Sequence, residues 1–145
     1  MTNIVVVDSS ALVSLFSPDD SNHQIAKKLS LTLKNQNTVL IVPGEIFTET
    51  VNVFGKKISH EIATKYGSFI LTRQEYTIAE TNHLIRGSAF EKFQDQPKSV
   101  SFTDCLVMAF ADDYETREIF GFDDAFRKNG YIRFGVDNLK NKSSK

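Results

Sequence analysis

The chain has one cysteine, Cys105, so it cannot form an internal disulfide and suits a reducing compartment. It has no apolar run approaching the roughly 18 to 20 residues that a membrane-crossing helix needs. The apolar IVVV near the start lacks a basic segment before it and a small-residue cleavage pattern after it, so it does not read as an export signal. These absences predict a cytoplasmic protein with no membrane partner. Excess charge is missing too. Seventeen Lys and Arg against eighteen Asp and Glu leave a formal net charge of −1, so any nucleic-acid contact must come from local basic patches. There is no Gly-rich phosphate loop, since the seven glycines are isolated. His23, His60 and His83 are scattered over predicted helices with no pair at ligand spacing, and Cys105 lies on an apolar helix face where packing in the core is expected.

What is present reads as a packed α/β domain. In 145 residues, 41% are hydrophobic and twelve are Phe, spread along the chain as core filler. One domain over residues 1–139 is expected, followed by a solvated tail, KNKSSK, from Lys140 to Lys145. Ile4 to Val7 is a β-branched run without alternation, as in a strand buried on both faces. Ser9 or Ser10 can cap a following helix through Phe16, and Ser21 to Leu33 reads as a second helix. Thr38 to Val42 is another buried-strand run, after which Pro43-Gly44 turns into a helix from Glu45 to Phe54. Ile58, Ile62, Tyr66 and Ile70 mark the next helix. Tyr76 to Ile78 reads as a short strand, overlapped by a long helical pattern from Thr77 to Phe93. Ser101 or Thr103 caps a helix through Ala111, and Glu118 to Phe120 and Tyr131 to Phe134 are the last strands. Alternation of this kind implies a mostly parallel sheet.

Four acidic positions have addresses of interest. Asp8 ends the first strand, where parallel sheets build their ligand sites, although a helix cap alone would also explain it. Asp123 follows another strand exit, with Asp124 beside it, and one of the two can serve only as a turn cap. Glu49 shares a helix face with Glu45 and Asn52, an arrangement that solvation alone would explain. Asp104 stands in the first turn of SFTDCLVMAFA, where the helix dipole favours an acid. Asp112 and Asp113 lie near the unfavourable end of that helix, and the sequence leaves them as caps or as solvated residues. As a set, hard carboxylate oxygens suit Mg²⁺ or Mn²⁺ and need neither His nor Cys.

These segments resemble the PIN-domain ribonucleases, in particular the VapC toxins of toxin–antitoxin pairs. VVVDSSALVSLF is similar to the family's opening motif and places its acid at Asp8, with Ser9 and Ser10 beside it. VPGEIFTETVNVF is similar to the second and places its acid at Glu49 rather than Glu45. SFTDCLVMAFA and GFDDAF resemble the third and fourth, with acids at Asp104 and Asp123. The resemblance implies a three-layer α/β/α fold with a central, mostly parallel sheet and Mg²⁺-dependent endoribonuclease activity, with Mn²⁺ as substitute. It also implies an RNA substrate, an antitoxin partner and a homodimer. In this reading Asp8, Asp104 and Asp123 bind metal, while Glu49 holds a water or acts as base. Ser9 or Ser10 positions a carboxylate or touches phosphate. Lys56, Lys57, Arg127 and Lys128 are candidate phosphate contacts. The chain departs from the pattern at Gly121, where the fourth motif commonly has Ser or Thr, and at the Pro43-Gly44 lead-in of the second.

Two other readings compete. One is a non-catalytic PIN module acting through RNA or protein binding, against which all four acids argue. The other is an aspartyl-phosphate phosphatase built on Asp8, but such enzymes use a second Asp two residues on, where this chain has Ser10.

Overall fold

A computed structural model describes residues 2–137, and the expected tail at 140–145 lies outside them. Five strands form one sheet in the order β3-β2-β1-β4-β5, and every pairing is parallel. They are β1 (Ile4–Val7), β2 (Val39–Pro43), β3 (Tyr76–Ala79), β4 (Glu118–Phe120) and β5 (Ile132–Arg133). Val5, Val6 and Val7 are buried, as are Leu40, Ile41 and Val42, which explains why both central strands read as unbroken apolar runs.

The helices connecting β1, β2 and β3 are α1 (Ser9–Phe16), α2 (His23–Asn35), α3 (Gly44–Lys57) and α4 (His60–Thr72), packed on one another. The chain then crosses back through α5 (His83–Gln94) and α6 (Phe102–Asp113) to β4, on the far side of β1. α6 packs on β1, β2 and β4 and is buried continuously from Cys105 to Ala111. The short α7 (Asp124–Lys128) leads into β5. Strand order reverses direction at β1 and β4, where the loops at the strand ends diverge and leave a crevice. Among the described residues no helix is long and apolar enough to cross a membrane.

Three local expectations need correcting. The helix expected from Thr77 begins only at His83, because residues 76–79 pair with β2 from Leu40 to Pro43 and Asn82 then caps α5 by accepting from the Ile85 N–H. The cap of α1 is neither Ser9 nor Ser10. Asp8 takes that place and accepts from the Ser10 N–H. The second helix starts at His23 rather than Ser21. Asp112, left open by the sequence, is held at the end of α6 by Lys92 at 2.6 Å and by the Tyr131 hydroxyl at 2.8 Å.

Candidate active site

Asp8 follows β1 directly, beside the end of β4 where the strand order reverses. Its N–H donates to the Phe120 carbonyl at 2.9 Å, which continues the β1–β4 pairing one residue past the strand and fixes the backbone. The side chain is 4% exposed. Oδ2 accepts from the Ser10 hydroxyl at 2.7 Å and from the Ser10 N–H at 3.2 Å. Burial pushes its pKa up to about 6. The two Ser10 bonds oppose that shift, and repulsion from Asp104 and Glu49 adds to it.

The other acids come from separate elements. Glu49, exposed on α3, accepts a short hydrogen bond from the Ser9 hydroxyl. Asp104, half-buried in the first turn of α6, shares a capping box with Ser101: it accepts from the Ser101 N–H at 3.1 Å, and the Ser101 hydroxyl accepts from the Asp104 N–H at 3.0 Å. Burial raises the Asp104 pKa, and repulsion from Asp123 and Glu49 raises it further against the Ser101 bonds. Asp123 caps α7 through the Ala125 N–H at 2.9 Å. The structure thus brings all four sequence-predicted acids within electrostatic reach, Asp8 and Asp104 each feeling Glu49 and Asp104 also feeling Asp8 and Asp123.

Asp124 is spent elsewhere. It makes a two-pronged contact with Arg127 at 2.7 and 2.9 Å and lies 3.6 Å from both Lys128 and Arg133, which holds its pKa down to about 2. Arg127 and Lys128, candidate phosphate contacts in the sequence, are therefore already paired with an acid. Lys56 and Lys57 line a 750 Å³ groove along α3 that also contains Glu49, Asn52 and Glu80.

The departure at Gly121 has a steric reason. A Cβ there would stand 2.8 Å from the Asp8 Cβ and 3.2 Å from the Phe126 ring. Ser10 supplies a hydroxyl from the opposite side instead, donating to Asp8 and accepting from the Phe122 N–H at 3.1 Å. One side chain therefore orients the buried acid and ties down the loop that carries Asp123. Arg133, which sequence reasoning missed, braces the same loop by donating to the Phe122 carbonyl at 3.1 Å while paired with Asp137 at 2.9 Å.

Among the described residues no three acidic, His or Cys side chains stand at ligand spacing for a single ion. The donor set fits a hard divalent cation nonetheless. All the donors are carboxylates, drawn from separate parts of the fold, and they repel one another around a buried member whose charge no cation among the described residues offsets.

No curated protein matches the sequence at a significant level. Among solved structures, the chain is similar to the VapC20 toxin of Mycobacterium tuberculosis, which cleaves the sarcin–ricin loop. The likeness has a TM-score of 0.80 at 18% identity and covers 89% of this chain and 97% of that one. The PIN domain family model matches residues 5–130, from the first core strand to the turn before β5, and the chain belongs to the PIN-domain family.

Proposed function

We propose that this chain, a single PIN domain over residues 1–139, is a cytoplasmic metal-dependent endoribonuclease that hydrolyses RNA phosphodiester bonds. We propose further that it is the toxin of a toxin–antitoxin pair. Nuclease activity goes with membership of the family. The observation that carries the reading is a buried Asp8 whose carboxyl is repelled by two further acids at the carboxyl end of a parallel sheet. The likeness to a toxin that cleaves RNA supports the substrate class and the toxin role.

Asp8, Asp104, Asp123 and Glu49 would hold Mg²⁺, or Mn²⁺ in its place. The bound cation would acidify water and offset charge on the attacked phosphate. The Ser10 hydroxyl holds one Asp8 oxygen in place, and the Ser9 hydroxyl holds one Glu49 oxygen. Glu49, at the exposed rim, is the acid placed to take a proton from the attacking water. Lys56 and Lys57 extend the site along α3 as contacts for flanking phosphates.

A homodimer completes the proposal. Helix α5 leaves Leu84 79% and Phe90 53% exposed around Gly87, and a Cβ at Gly87 would meet nothing within 4 Å. An antiparallel two-fold pairing of α5 with a second copy would set Leu84 against Phe93 and Arg86 against Glu91. Leu84→Arg should then leave a monomer by light scattering.

The activity is tested by adding Mg²⁺ or Mn²⁺ to the purified protein and following cleavage of structured and unstructured RNA. Cleavage that is lost in Asp8→Asn and Asp104→Asn supports the reading. Cleavage that survives in both and resists EDTA sinks it. A folded protein that neither binds metal by calorimetry nor cleaves RNA would point to a non-catalytic binding module.

A further inference from the structure

A second pocket, of 350 Å³, opens beside Asp123. Asp123 lines it, as do Gln96, Pro97 and Ser99 from the loop before α6 and Lys128 and Asn129 from α7 and its end. Two of these form a reciprocal amide pair. Gln96 Nε2 donates to Asn129 Oδ1 at 2.8 Å, and Asn129 Nδ2 donates back to Gln96 Oε1 at 3.1 Å. The second Asn129 N–H is used on the Ala125 carbonyl at 2.8 Å. Among the described residues, Gln96 Nε2 keeps one N–H, and directly beside it Asn129 Oδ1 keeps one lone pair. The pair therefore presents a donor next to an acceptor, 2.8 Å apart.

That edge selects by chemistry. Nucleobases carry an acceptor adjacent to a donor along their edges, as in the two-pronged recognition of adenine by Asn or Gln. Phosphate offers acceptors alone and would meet the Asn129 oxygen and the Asp123 carboxylate, while the cation of Lys128 is drawn toward Asp124. A neutral polar ring suits the pocket better than an anion, and Pro97 adds an apolar wall.

We propose that this pocket is a nucleobase subsite, in which the Gln96–Asn129 edge holds a base of the RNA strand next to the phosphodiester over the acids. The proposal rests on the ribonuclease reading. A strand laid across the site would run its backbone past Lys56 and Lys57 on α3 and drop a base beside Asp123. Gln96 and Asn129 are then specificity-determining residues, in addition to tying the loop to α7.

The first test needs no catalysis. The side-chain amide signals of Gln96 and Asn129 are followed by NMR while AMP, GMP, CMP, UMP or ribose 5-phosphate is added. At least one nucleotide should shift both signals, and ribose 5-phosphate should shift neither. Equal shifts with ribose 5-phosphate, or no shift with any nucleotide, would overturn the subsite whether or not RNA is cleaved. The second test compares Gln96→Ala with the parent protein on RNAs that differ only in the base next to the cut. Base preference should fall by about tenfold or more, the worth of one two-pronged contact. Retained preference would overturn the assignment. A parent protein that cleaves no RNA would instead defeat the ribonuclease reading, with the nucleotide shifts still deciding the pocket.

Discussion

Gly121→Ser restores the hydroxyl that the family pattern carries and should damage this protein. The new Cβ would lie 2.8 Å from the Asp8 Cβ and 3.2 Å from Phe126. Neither neighbour can retreat: the Asp8 backbone is bonded to Phe120, and Phe126 is fully buried. Overpacking of this kind costs about 1–3 kcal/mol. Replacing a glycine also restricts the unfolded chain, which returns about 0.4–1 kcal/mol. Gly121 is not in the left-handed backbone region, so no strain adds to the cost. Sterics win, and a net loss of about 1–2 kcal/mol corresponds to a fall in Tm of roughly 2–8 °C. Thermal and urea unfolding of Gly121→Ser and Gly121→Ala measure this, the Ala variant separating bulk from hydroxyl. Both should be destabilised, with RNA cleavage reduced because Asp8 is displaced. A Gly121→Ser protein as stable as its parent and more active would refute the steric account and show that Ser10 had not replaced the missing hydroxyl.

Three further outcomes follow from the same contacts. The Asp8 pKa is raised from 3.8 to about 6, so its stability contribution is present in full below pH 3.8 and is lost as pH rises through 6, a penalty of up to about 3 kcal/mol. Asp8→Asn keeps a cap and an acceptor for Ser10 without the charge, so in EDTA at pH 7.5 it should unfold at higher urea than the parent, and near pH 3.5 the gap should close; identical profiles would contradict the burial argument. Asp123→Asn should weaken cleavage and metal binding strongly, whereas Asp124→Asn, which only frees Arg127, Lys128 and Arg133, should leave metal affinity by calorimetry unchanged; the reverse ranking would misassign the pair. Ser10→Ala leaves the Phe122 N–H without its hydroxyl partner and the Asp8 oxygen with only the Ser10 N–H, and should cost about 1–3 kcal/mol in urea unfolding; an unchanged midpoint would mean that the bridge carries no weight.

The central strands were legible in the sequence because their signals are local, unbroken β-branched runs for β1 and β2; the α6 cap was narrowed to Ser101 or Thr103, and the structure settles on Ser101. The start of α5 was not legible, because residues 77–82 fit a helical pattern, and only the pairing of 77–79 with β2 and the Asn82 cap decide against it. At the site, each acid alone was explained by capping or solvation, and in the structure Asp8 and Asp123 do cap helices while Asp104 closes the capping box of α6. A capping acid and a converging acid are thus the same residue, which is why single positions carried little information. The fit of Gly121 against Asp8 and the Ser10 bond to Phe122 N–H join residues about 110 apart, and no local pattern encodes them. Asp124 is separated from Asp123 by its two-pronged contact with Arg127, with Arg133 of β5 reaching it as well.

The central claim is that Asp8, Glu49, Asp104 and Asp123 act together as a metal centre for RNA hydrolysis. Its most direct test is the single-turnover rate of RNA cleavage as a function of Mg²⁺ concentration, for the parent protein and for Asp104→Asn. The account predicts a saturable Mg²⁺ dependence in the parent that vanishes in EDTA. In Asp104→Asn it predicts a rate at least about a hundredfold lower, with a weakened Mg²⁺ midpoint. Equal rates and equal Mg²⁺ midpoints in the two proteins would contradict it.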